Sequence, residues 1–95
     1  MTELPIPPNQ WRLLIESLDL PPQQARIVEL ILCNRCDKQI AMKMGLRIPT
    51  VRTYLTRVYR RLGVSGRMEL VLKLFALSHE KAASRHDDII ANDLT

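Results

Sequence analysis

Arg52, Thr53, Thr56, Arg57 and Arg60 crowd into one short segment, TVRTYLTRVYRRL at residues 50 to 62, with no carboxylate among them. At about 100° of turn per residue they share one side of a helix. Guanidinium groups are planar donors that match phosphate oxygens and the O6 and N7 edge of guanine, and threonine brings a hydroxyl and a methyl. The chemistry on offer is therefore recognition of a nucleic-acid groove rather than bond making. The opposite side of the same helix holds Val51, Leu55, Val58 and Leu62, spaced i, i+4, i+7 and i+11, a narrow apolar stripe that has to be buried. A cationic front fixed to a buried back is what a groove-binding helix requires. A merely solvated face is the plainer alternative, but such helices usually interleave Glu with their arginines, and this one does not.

Other chemistries find little support. No Ser/His/Asp set, no paired carboxylates and no glycine-rich phosphate loop stand out, so an enzyme is not expected and no cofactor is implied. Cys33 and Cys36 form a single CxxC, whereas a structural zinc site needs four ligands and the two histidines, His79 and His86, lie far along the chain. Two reduced thiols in a connection between helices is the preferred reading, with no metal.

Behind the cationic segment stands a small domain. Ninety-five residues make one domain, and 46% apolar content with only 4% aromatic and three glycines points to an all-α core of Leu, Ile, Val and Met. The net charge of +4 is unevenly spread: six arginines and no acid lie between Arg47 and Arg67, while Asp87, Asp88 and Asp93 fall near the end. Such a field suits a polyanion. No apolar run approaches the ~18 residues of a membrane span, and MTELPIPP does not resemble a signal peptide, so no membrane partner and a cytoplasmic location are expected.

In chain order, residues 1 to 19 form a proline-bearing lead-in and an amphipathic helix carrying Trp11, Leu14, Ile15 and Leu18. Trp11 is expected to anchor it. A second helix starts at about Pro22 and buries Ala25, Ile27, Val28, Ile31 and Leu32, and Asn34 can take the left-handed conformation that ends it. A third spans Asp37 to Met44, beginning where Asp37 can cap it or favour its positive end, and Gly45 makes the turn into the cationic helix. That helix is expected over 49 to 62, because Pro49 pushes Ile48 toward an extended conformation, and Arg47 and Ile48 are poor caps. Gly63 ends it, and Ser65 or Gly66 opens the last helix.

The last helix has two apolar sides: Met68, Val71, Leu72 and Phe75 on one, Leu70, Leu74 and Leu77 on the other. The first is expected in the core. The second is expected to be covered by the N-terminal helix or by another subunit, and is assigned as the dimer interface. Residues 83 to 95 are expected to form a flexible tail.

At residues 20 to 71, and most specifically in IAxxxGLxxxTVRTYLxxVYRRLGVxxRxEL, ungapped from Ile40, the chain resembles the LuxR-type (GerE or FixJ-type) helix-turn-helix DNA-binding domain. The resemblance implies a four-helix module, residues 20 to 82 here, with the N-terminal helix as an addition. It implies bacterial transcription control, nucleoid association, a third helix in the major groove of double-stranded DNA and a last helix that commonly makes a homodimer. With no room here for a receiver or sensing domain, the chain is similar to stand-alone members. The family's base-edge positions are occupied by Arg52, Thr53 and Thr56, and its backbone-contact positions by Thr50, Arg57, Arg60 and Arg61, with Arg47 a further phosphate candidate. Arg61 and Arg67 also lie where they could pair with Glu69 or cover the core. The pattern departs at Gln24 for the usual acid, Asn34 for a glycine, Cys36 and Arg47 for Ser or Thr caps, Pro49 for a lysine and Tyr54 for a histidine. The alternative function is a helix-turn-helix module that binds RNA polymerase or another regulator through Leu70, Leu74 and Leu77. A fragment similar to a sigma-factor recognition region is disfavoured by the LGVxxRxEL continuation.

Overall fold

A computed structural model describes the backbone of residues 4 to 94 and the side chains of residues 4 to 80. Five helices follow one another: α1 (Pro8–Leu18), α2 (Pro22–Leu32), α3 (Asp37–Met44), α4 (Ile48–Leu62) and α5 (Arg67–Leu94), and no strand occurs among the described residues. The all-α expectation holds. The backbone of α5 runs on to Leu94, and the flexible tail expected at 83 to 95 lies outside the residues whose side chains are described.

Each boundary has a local cause. Proline opens α1 and α2 at their first residue, where its missing N–H would have no helical partner in any case. Three helices then stop by the same device, a left-handed residue followed by a 6→1 hydrogen bond. Asn34 (φ 61°) is followed by Arg35 N–H to the Leu30 carbonyl at 3.0 Å, Gly45 (φ 66°) by Leu46 N–H to Ala41 at 2.9 Å, and Gly63 (φ 69°) by Val64 N–H to Tyr59 at 2.9 Å. Asn34 thus performs the task of the glycine it replaces.

At two helix starts the structure decides between or shifts the expected roles. Cys36, at the family's cap position, is the N-cap of α3, with its N–H held by the Gln39 side chain at 2.9 Å; Asp37 is the first helical residue and so takes the second of its two expected roles, a negative charge at the positive helix end. In α4 the extended residue before the helix is Arg47, with ψ 153°, so Ile48 is already helical and Pro49 sits second. Proline is harmless there because the second N–H of a helix is also unpaired.

The core runs through all five helices. Leu14 from α1, Ile27, Val28, Leu30, Ile31 and Leu32 from α2, Ile40 and Ala41 from α3, the four-residue stripe of α4, and Leu70 and Leu74 from α5 are buried together. Ala25, expected inside, is only half-buried, and Leu30, not expected there, is buried. Ile6 of the lead-in is buried too. α3 and α2 pack on α4, and α1 packs along α5.

That last contact realises one of the two coverings expected for the leucine side, the N-terminal helix, and overturns both its assignment as the dimer interface and the placing of the other side in the core. Leu70 and Leu74 are completely buried within the single chain, Ser78 on the same side donates to Gln10 Oε1 at 3.2 Å, and Leu77 is half-buried against the core. Neither Leu70 nor Leu74 is available as a dimer interface. The side expected inside is instead the open one: Met68 is 72%, Leu72 62% and Phe75 40% exposed. The reason is that α1 supplies a second apolar partner, and the domain core then closes on the leucine side.

Candidate nucleic-acid interface

The front of α4 is built by its back. Val51, Leu55, Val58 and Leu62 are all buried, which fixes the rotation of the helix and leaves Arg52, Thr53, Thr56, Arg57 and Arg60 exposed on the other side. The carboxyl end is tied as well. Lys73 Nζ from α5 donates to the Leu62 carbonyl, and Arg61 donates to the Asp19 carbonyl at 2.7 Å, joining the end of α4 to the turn after α1. A cation against the last carbonyls also complements the helix dipole.

The exposed groups divide by what they are free to do. The Thr53 hydroxyl donates to the Pro49 carbonyl at 3.1 Å and that of Thr56 to the Arg52 carbonyl at 3.0 Å. Their protons are committed to the helix, so each threonine presents an acceptor oxygen and a methyl to anything outside. Those are the complements of an exocyclic amine on adenine or cytosine and of a thymine methyl. The Arg57 guanidinium carbon lies 5.8 Å from the centre of the Tyr54 ring, so the tyrosine that stands at the usual histidine position steadies an arginine of the face. Arg47 is exposed and Thr50 half-buried, both beside the amino end of α4.

Arg52 has a partner that sequence reasoning missed. Its Nε lies 3.5 Å from Asp37 Oδ2, and Arg67 from the start of α5 approaches the other carboxylate oxygen at 3.9 Å. Arg67 also donates to the Arg35 carbonyl. No periodicity within one helix can announce a pair whose members come from different helices. Glu69, a suggested partner for Arg61 or Arg67, is engaged elsewhere: it accepts from the Ser65 hydroxyl and from the Ser65 N–H at 2.8 Å. Those two bonds hold its carboxyl below the usual range. Nearby, burial pushes the Tyr59 phenol up, partly offset by the Arg67 charge.

The cysteines are both free, Cys33 half-buried and Cys36 exposed, and no cluster of three or more His, Cys, Asp or Glu suited to a metal occurs among the described residues. Among those residues no helix is long and apolar enough to cross a membrane.

Two helices, α3 and α4, joined by a glycine turn with the second one bearing an exposed cationic face define a helix-turn-helix protein. Residues 19 to 74 match the family model described as bacterial regulatory proteins, luxR family, and the chain belongs to that family. It is 34% identical over 70 residues to a protein of Streptomyces halstedii named as a probable HTH-type transcriptional regulator, GfsR. The match takes in 74% of this chain but 28% of that relative's length. No solved structure matches the chain significantly.

Proposed function

We propose that this protein is a sequence-specific, double-stranded-DNA-binding transcriptional regulator that inserts α4 into the major groove. The observation that carries the reading is the α4 front itself: five polar or cationic side chains in solvent, with the helix rotation locked by four buried residues behind them. Arg52 reads a guanine edge, and Thr53 and Thr56 meet methyls or exocyclic amines. Arg57, Arg60, Arg47 and Thr50 hold the helix to phosphates, while Arg61, already joined to Asp19, adds charge at the far end. The work is done in the cytoplasm of a bacterium, on the nucleoid, and no catalytic step belongs to it.

The active form is a homodimer closed through the open side of α5. Met68, Leu72 and Phe75 are exposed apolar side chains, and a hollow of about 410 Å³ beside them is lined by Ile31, Leu32, Val71 and Phe75. A second copy related by a two-fold axis would cover this face and set two α4 helices about one turn of DNA apart. Docking on RNA polymerase through Leu70, Leu74 and Leu77 is disfavoured, since Leu70 and Leu74 are buried within the chain.

Selection of bound duplexes from a random pool tests both parts. An inverted repeat with half-sites one helical turn apart is the expected product. Recovery of a single, asymmetric site together with a monomer in sedimentation at tens of micromolar would rule out the dimer, and recovery of no enriched sequence would rule out specific DNA reading.

A further inference from the structure

We infer that Asp37 is a specificity-determining positioning residue: its carboxylate pairs with Arg52 on the Nε side, at 3.5 Å, and leaves the two terminal nitrogens free for a base edge. The inference rests on the DNA-reading role just proposed. Among the described residues, Arg52 is the only arginine of the α4 front in an ion pair, and the acid comes from the neighbouring helix. The Asp37 carboxylate lies in a positive field. It sits on the first residue of α3, where the positive helix end favours it, and Arg67, anchored on the Arg35 carbonyl, lies 3.9 Å from its other oxygen. The Arg52 side chain remains 69% exposed.

This geometry divides the guanidinium into a held edge and a presenting edge. A bidentate contact to guanine O6 and N7 uses two donors in a plane. An arginine free in solvent gives up all its rotamer freedom on binding, whereas one drawn toward a carboxylate at Nε starts from a narrower set. The carboxylate has a second effect. An acid beside a groove-facing arginine repels phosphates, so it lowers affinity for any DNA that does not repay it with the right base. The two effects act in opposite directions on cognate and unrelated duplexes, and this separates positioning from a structural role. A hollow of about 530 Å³ lined by Asp37, Lys38, Arg52 and Arg67 leaves the pair open to an approaching duplex.

The test is fluorescence anisotropy of the whole chain on three duplexes: a pool-selected site, the same site with the Arg52-read base pair replaced, and an unrelated sequence. Asp37→Asn is expected to lose about tenfold of the discrimination between the first two while binding the unrelated duplex roughly threefold more tightly. Asp37→Glu keeps the charge but displaces the grip, so discrimination falls with no gain on unrelated DNA. Arg52→Ala abolishes the same discrimination, and adding Asp37→Asn to it changes nothing further at that base pair. Circular dichroism and melting of each variant confirm the fold. An equal change on all three duplexes, or an additive effect in the double variant, would overturn the inference. If the wild type enriches a site and Arg52→Ala relaxes one base pair while Asp37→Asn does not, Asp37 alone is misassigned. If the wild type enriches no site, the DNA reading itself falls, and this inference with it.

Discussion

Helices α4 and α5 solve the same packing problem and end with opposite surfaces. Each turns one apolar stripe into the common core, Val51, Leu55, Val58 and Leu62 in α4, Leu70 and Leu74 in α5. Each leaves its other side in solvent. On α4 that side is arginine and threonine; on α5 it is Met68, Leu72 and Phe75. Burial sets which way a helix faces, and the residues left outside set what it can meet: a polyanion for the first, a matching apolar face for the second.

The contrast can be tested by substitution, beginning within α5. Leu74→Ala should destabilise the fold by about 2–5 kcal/mol, because it opens a cavity in a fully closed core, whereas Leu72→Ala should change monomer stability by no more than about 0.5 kcal/mol. Urea unfolding at a concentration where the protein is monomeric measures both, and equal losses would mean the two sides of α5 are assigned the wrong way round. Across the two helices, Arg52→Ala should cost about 1–3 kcal/mol on a selected site and relax one base position, while Leu72→Ala leaves base preference untouched. Sequence preference measured on a panel of single-base variants separates them.

Smaller effects probe the joint between the helices. Gly63→Ala should cost on the order of 1 kcal/mol, since φ 69° strains any residue with a Cβ even though the nearest side-chain atom, Lys73 Nζ, is 3.9 Å from where that Cβ would lie. A thermal melt with no loss would show that the turn relaxes freely. The smallest effect concerns Glu69. Its carboxyl titrates below the ordinary glutamate range because Ser65 donates to it twice, so its stabilisation is present above that ordinary range and disappears as pH falls through the lowered value. Glu69→Gln should therefore flatten stability on the acid side only, and an equal flattening at neutral pH would count against the Ser65 bonds as the cause.

Much of this was legible in residue order because the signals are local. The prolines and left-handed residues that bound α1, α2, α3 and α4 act within a few positions, and the α4 stripe has one apolar side, so its orientation has a single solution. α5 has two such sides, and periodicity cannot rank them; the choice depended on α1 packing along it and burying Leu70 and Leu74. The pair between Asp37 and Arg52 escaped for the same reason. Each residue looked locally complete, Asp37 as a cap or a charge at the helix start and Arg52 as a free cation.

Residue order alone determined that the chain is helical, that α4 presents arginines and threonines outward, and that the segment from Ile40 to Leu70 carries a family pattern, since each follows from neighbours within a turn or two. Tertiary structure alone decided which side of α5 stays open, which carbonyl receives Arg61, and which acid holds Arg52. Those outcomes depend on contacts between segments far apart in the chain, where burial and charge pairing are settled by how whole helices pack rather than by any residue's own preference.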